Sequence, residues 1–162
     1  MSEIETAPPD AELLEDAPVP TRRLLVFVLG GTRFASDMDA FREIIPTRQT
    51  TRLPGAPSTV SGLINLRGTI VTVLDGGVLL SGAPCVKGGG LTLLVDLEGK
   101  LVGLGVDDVQ DVHDVPLPQF VDADASELSD ARCVTCVAEI EGKRVLVLDI
   151  KSVARQVIGQ GR

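Results

Sequence analysis

Apolar residues along the chain fall into short alternating or continuous runs broken by glycine turns, the pattern of strands rather than of long helices. Residues 24–29 (LLVFVL) are apolar throughout and run into Gly30-Gly31, a two-residue hairpin signal, after which Arg33-Phe34-Ala35 opens the return. Leu63-Ile64-Asn65-Leu66 and residues 69–75 flank a second turn at Arg67-Gly68. Residues 91–97 and 101–106 flank Glu98-Gly99-Lys100, and residues 133–140 and 144–150 flank Glu141-Gly142-Lys143. Met38, Phe41 and Ile45 stand at i, i+3 and i+7, so their spacing predicts a short helix over 36–45, capped by Ser36 or Asp37 and ended by Pro46. Residues 47–61 read as a loop, 76–90 as an irregular glycine-rich stretch and 107–115 as an amphipathic stretch, with Pro116 and Pro118 opening a loop. Residues 151–158 read as a closing helix.

The hairpins recur. From Gly68 to Gly142 is a shift of 74 positions, and it carries Leu63 onto Val137, Leu66 onto Ile140, Val71 onto Val145, Val73 onto Val147 and Asp75 onto Asp149. From Gly31 to Gly99 is a shift of 68 positions, and it carries Val26 onto Leu94, Phe27 onto Val95, Phe34 onto Val102, Phe41 onto Val109 and Ile44 onto Val112. The chain therefore reads A-B-A′-B′, a duplicated β unit. Short, evenly spaced strands without long crossover helices predict a mainly β fold of small barrels rather than a parallel sheet.

Charge adds an acidic tail. Glu3, Glu5, Asp10, Glu12, Glu15 and Asp16 precede the first basic residue, Arg22, in a segment that also holds Pro8, Pro9, Pro18 and Pro20. Residues 1–21 bury too little to offset their ordering entropy, so they are expected to be a flexible tail, with residues 22–162 as one folded domain. The tail has neither the basic start nor the apolar core of a signal peptide, and no apolar run reaches the length of a membrane span, so a cytoplasmic protein without membrane insertion is expected. The net charge of -8, with four Phe and no Tyr or Trp, opposes nucleic acid as a partner, since both the phosphate backbone and stacked bases would lack their contacts.

No catalytic or metal constellation emerges. His113 is the only histidine, and no nucleophile is linked to it by a motif. Cys133 and Cys136 have CxxC spacing without a second ligand pair; Cys85 stands alone. On a strand, residues three apart face opposite sides, and a redox CxxC would open a helix. The odd thiol count with no export signal points to reduced cysteines. Asp107, Asp108, Asp111 and Asp114 lack the glycine and closing glutamate of a calcium loop, and Gly88-Gly89-Gly90 precedes a strand rather than a phosphate-binding helix. A metal or redox protein built on Cys133, Cys136 or His113 is the alternative from another class. The expectation is no enzyme, no metal and no cofactor, which leaves binding surfaces as the functional content.

The segment from Gly62 to Asp75 (GLINLRGTIVTVLD) resembles the signature hairpin of the CheW family. Leu25-Val26-Phe27-Val28-Leu29-Gly30 is similar to the family's opening strand, Arg42-Glu43-Ile44-Ile45 to its Glu-Ile element, and residues 102–109 (VGLGVDDV) to its Val-Gly-Leu-x-Val-Asp-x-Val strand. Residues 137–150 are similar to its last hairpin. Departures are Gly76-Gly77, where the family often has Leu-Arg, and Cys136, where it often has Gly.

The resemblance implies two intertwined five-stranded SH3-like β-barrels with short helices, sharing an apolar seam. It implies a non-enzymatic adaptor that couples chemoreceptor cytoplasmic tips to the regulatory domain of a CheA-type histidine kinase, in membrane-associated receptor arrays. A stand-alone scaffold in a non-flagellar chemosensory pathway, for surface motility or gene regulation, is the alternative within that class. It also places Arg67 near the Glu-Ile element, so an Arg67–Glu43 pair is expected to shape a partner surface, with Gly62, Asn65 and Gly68 in the same motif. A coupling protein must expose apolar area to grip a helical receptor tip, and Met38, Phe41, Ile45, Val106 and Val109 are the candidates.

Overall fold

A computed structural model describes residues 19–81, 84–85, 90–124 and 134–160. Most of the acidic tail, residues 1–18, and Cys133 lie outside the described residues, and the tail's expected last residue, Thr21, already pairs with Pro116 in the first strand.

Among the described residues eleven strands form two sheets. In chain order they are β1 (Thr21–Leu29), β2 (Thr32–Asp37), β3 (Phe41–Pro46), β4 (Val60–Leu66), β5 (Thr69–Asp75), β6 (Leu91–Leu97), β7 (Lys100–Val106), β8 (Asp108–Pro116), β9 (Phe120–Val121), β10 (Val134–Ile140) and β11 (Lys143–Leu148). Helix α1 (Gly76–Ser81) follows β5, and helix α2 (Ile150–Gln160) follows β11. The first sheet has the order β8-β1-β2-β11-β10-β9 and the second β3-β6-β7-β5-β4. Each tight hairpin turns on two residues of positive φ: Gly30-Gly31, Arg67-Gly68, Glu98-Gly99 and Glu141-Gly142. Glycine at the second of these positions takes that conformation without a Cβ penalty.

The halves exchange strands. β3 leaves the β1–β2 hairpin to pair with β6, and β8 leaves the β6–β7 hairpin to pair with β1. The two registers are images of each other under the 68-residue shift: Phe41 faces Val95 as Val109 faces Phe27, and Ile44 faces Leu93 as Val112 faces Leu25. Even the bulges correspond, Arg42 with Gln110 and Ser61 with Thr135. The parallel pairings match as well: Thr72 lies beside Val102 as Leu146 lies beside Phe34. The duplicated unit read from the sequence is thus a near-twofold pair of intertwined barrels. The first sheet exceeds the expected five strands only by the two-residue β9.

Three apolar clusters follow from this exchange. Leu24, Val26, Ala138, Ile140, Val145 and Val147 fill the first barrel; Ile45, Ile64, Leu66, Val71, Val73 and Leu94 fill the second. The largest cluster lies between them and includes Leu25, Phe27, Leu29, Leu74, Leu93 and Val95, with Ile150, Ala154 and Val157 of α2. Alternate residues of β1 and β6 therefore face a barrel interior on one side and the seam on the other. Burial of both faces is why these strands read as continuous apolar runs rather than alternating ones.

Two local expectations are corrected. Residues 36–45 do not form a helix: β2 runs through Asp37, a single 3-10 turn spans Met38–Ala40, and β3 follows. On β3 the bulge at Arg42 turns Phe41 into the seam and Ile45 into the second barrel, with Glu43 half-buried between them, and this broken alternation reads as a helical period. The stretch after β5 is not wholly irregular, because Asp75 Oδ1 accepts the Val78 N–H at 3.1 Å and α1 begins. At the corresponding position Asp149 accepts the Ser152 N–H at 3.2 Å and its hydroxyl at 2.8 Å at the start of α2.

Leu93 has no exposed surface and sits in the seam. Leu93→Ala is expected to cost about 2–5 kcal/mol, in the range for a buried leucine cavity. Urea unfolding followed by circular dichroism checks this. The loss should appear as a lower midpoint of one transition shared by both barrels.

Candidate functional site

The β4–β5 turn carries the most specific motif of the chain. Asn65 Oδ1 accepts the Gly68 N–H at 2.9 Å, which holds the turn, and Arg48 Nη1 donates to the Asn65 carbonyl at 3.3 Å. Arg67 projects from the turn at φ 50° and clasps Glu43 with Nη2–Oε1 at 2.6 Å and Nη1–Oε2 at 3.4 Å. Hydrogen bonding to Glu43, reinforced by its charge, raises the already high pKa of the guanidinium. β3 and β4 are the two edges of the second sheet, so this pair spans the gap where that sheet closes on itself. The corresponding residues of the first barrel, Glu141 and Asp111, are both acidic, so the clasp belongs to one barrel only.

Exposed apolar side chains accompany the clasp. Ile44, next to Glu43, is 36% exposed, and Ile70, two residues beyond Gly68, is 59% exposed. Sequence reasoning missed both, although Ile70 alternates with the buried Val71 and Val73 and could have been read as facing outward. Of the candidates for gripping a helix, Phe41, Ile45 and Val106 are buried in the core, whereas Met38 and Val109 are half-buried against the seam cluster. The accessible part of the expected groove is thus Met38 and Val109, on the 3-10 turn and on the exchanged strand β8.

Gly62 is required by packing. Its φ is 146°, and a Cβ there would lie 2.4 Å from the carbonyl oxygen of Thr51, which bridges to Leu63. Its repeat counterpart is Cys136 on β10, whose φ is not positive. The Cys136 Sγ lies 3.9 Å from Arg22 Nη1, and Arg22 in turn pairs with Asp37 at 2.8 Å and stacks over Phe120 at 4.6 Å. A cysteine replaces the glycine because a guanidinium, not a backbone carbonyl, faces this position. His113, paired with Leu24, occupies the position that Ile45 holds in the other barrel, and is half-buried at the barrel margin.

Cys85 is held more closely. Its N–H donates to Asp75 Oδ1 at 3.1 Å, its Sγ donates to the Gly105 carbonyl at 3.2 Å, and it accepts the Gly77 N–H at 3.4 Å. On the first barrel a cleft of about 410 Å³ is lined by Arg22, Asp37, Asp39, Cys136, Asp149 and Lys151, among others. Among the described residues no helix is long and apolar enough to cross a membrane.

Comparison with known proteins agrees with the sequence motif. Residues 23–157 match the family model of the CheW-like domain. The chain is similar to the chemotaxis protein CheW of Rhizobium meliloti, 32% identical over 141 residues, covering 82% of this chain and 86% of that protein. It is 26% identical over 137 residues to the chemotaxis protein CheW of Klebsiella aerogenes, covering 80% of each. The crystal structure of the scaffolding protein TtCheW from Thermoanaerobacter tengcongensis shares the fold. The TM-score is 0.72 at 22% identity, over 82% of this chain and 92% of that one.

Burial pushes the Cys85 thiol up to about 12; the Gly77 N–H hydrogen bond acts to lower it, and Asp75 and the charge of Asp107 raise it further. The unfolded thiol ionises near pH ~8.5. A raised folded pKa means the contribution of Cys85 to stability is complete below that pH and is lost as pH climbs toward about 12. Urea midpoints compared at pH 8 and pH 10 test this: the native chain should lose more stability than Cys85→Ala over that interval. Parallel losses would contradict the burial of the thiol.

Proposed function

The chain belongs to the CheW family, and from that premise we propose that it is a non-enzymatic adaptor that couples chemoreceptor cytoplasmic tips to a CheA-type histidine kinase in chemotaxis signalling. The reading rests most on one observation. The Arg67–Glu43 clasp stands at the surface, and Ile44 and Ile70, close to its two residues in sequence, are exposed. Such a patch offers orientation through the fixed guanidinium and contact area through the isoleucines.

A coupling protein needs a second surface. Met38 and Val109 supply it along the seam, where an amphipathic helix of a receptor tip lays its apolar face. The strand exchange links the two surfaces rigidly, because β3 carries Glu43 and Ile44 while its neighbour turn carries Met38. The adaptor works on the cytoplasmic side, at the receptor array, and does so by holding partners rather than by catalysis. His113 fits that reading, since it fills a position where the other barrel has Ile45.

Isothermal titration of the full chain with a kinase regulatory domain and with a receptor-tip fragment tests the assignment. Both should bind, and each should still bind when the other is saturating. Arg67→Ala should keep the melting transition and weaken one of these partners by about tenfold or more, as loss of a central interface residue does. Met38→Ser should weaken the receptor-tip fragment selectively. Competition between the two partners, or an Arg67→Ala chain that binds both normally, contradicts the proposal.

A further inference from the structure

The internal repeat lets one barrel be compared with the other, position by position, and a further site differs. Cys85 rests against Asp75, Gly77 and Gly105 on the second barrel. Under the two repeat shifts these residues correspond to Asp149, Lys151 and Asp37, and all three line the 410 Å³ cleft of the first barrel. That cleft is therefore the open counterpart of the Cys85 socket.

The difference has a physical origin in the helices. After Asp75 the chain makes the six-residue α1, and Cys85 lies in the socket. After Asp149 the chain makes the eleven-residue α2, which runs on to Gln160 and packs Ile150, Ala154 and Val157 into the seam. A helix of that length carries the chain about 16 Å away from its start at 1.5 Å per residue. Glycines mark the filled site: a Cβ on Gly76 would lie 2.4 Å from the Gly105 carbonyl oxygen. Ile150 stands at the corresponding place in the first barrel, next to the open cleft.

We propose that this cleft docks an extended segment of a partner protein, with a small side chain where Cys85 sits in the other barrel and a basic residue beside it. The filled socket shows what the geometry accepts: a backbone N–H given to the capping aspartate and a small side chain between β-strand carbonyl and helix start. Asp149 has taken the Ser152 N–H and hydroxyl, yet a carboxylate accepts about four hydrogen bonds, so it has room for a backbone donor. Charge selects the neighbour. Arg22 is already neutralised by Asp37 at 2.8 Å, which leaves Asp39, Asp149 and Lys151 and a net negative cleft. The same carboxylates disfavour the chain's own acidic tail as occupant. This site is separate from the Arg67–Glu43 clasp and does not rest on the proposed roles of that surface.

The chain supplies its own probe: a capped peptide of residues 82–87, Gly-Ala-Pro-Cys-Val-Lys, which contains the socket residue Cys85 with a lysine two positions on. The full chain is titrated with it under reducing conditions and followed by 15N NMR. Shifts should concentrate at Asp37, Asp39, Cys136, Asp149 and Lys151 and saturate at about millimolar peptide, and Asp39→Lys should weaken binding by about tenfold. Three results overturn the proposal. One is the absence of saturable shifts at these residues up to about 10 mM peptide. Another is undiminished binding by Asp39→Lys. The last is the same set of shifts produced, without peptide, by deleting residues 1–18, which would make the tail the occupant.

Discussion

The seam between the barrels is the constraint on which everything else in this structure depends. β1 and β6 each bury both faces, one against a barrel interior and one against the other half, so neither barrel owns that strand independently. Helices α1 and α2 seal the seam reciprocally: α1 follows the second sheet and packs on β1, while α2 follows the first sheet and packs on β6. The exchange of β3 and β8 then makes separation of the halves equivalent to unpairing two strands as well as exposing the largest apolar cluster. Small barrels have little interior of their own, and sharing a core is one way for a chain of this size to bury enough apolar surface.

The proposed binding features sit where the two copies of the repeat have diverged. The turn residue Arg67 and its partner Glu43 have become Glu141 and Asp111 in the other barrel, so only one barrel carries the clasp. Gly62, pressed against Thr51, has become Cys136 beside Arg22. The socket filled by Cys85 has become an open cleft. Ile44 and Val112, by contrast, remain equivalent and both remain exposed, at 36% and 41%. A duplicated scaffold holds its strands in common and spends its differences at the surface, where substitutions cost little stability.

Much of this was legible in the sequence, and for identifiable reasons. Hairpins announced themselves because type I′ turns demand positive φ, and the apolar runs of β1 and β6 were visible because both faces are buried. The two repeat shifts gave the correct registers because a one-residue slip would turn every core residue outward. Legibility failed at β3, where the bulge at Arg42 and the polar Glu43, which pairs with Arg67 at the surface, break the apolar alternation. It failed again in separating buried Phe41, Ile45 and Val106 from accessible Met38 and Val109, because apolar identity alone does not say which face of a seam a residue takes. The cleft was beyond reach of the sequence, since it arises from the length of α2 and shows only when one barrel is laid on the other.

Native-state hydrogen exchange of the intact chain tests the shared seam most directly. Amides of Phe27 on β1 and Val95 on β6 should exchange only through global unfolding. Their opening free energies should be equal and should fall together with added denaturant. If one barrel's strands exchange through a separate opening of lower free energy while the other stays protected, the barrels are independent units and the seam does not unite them.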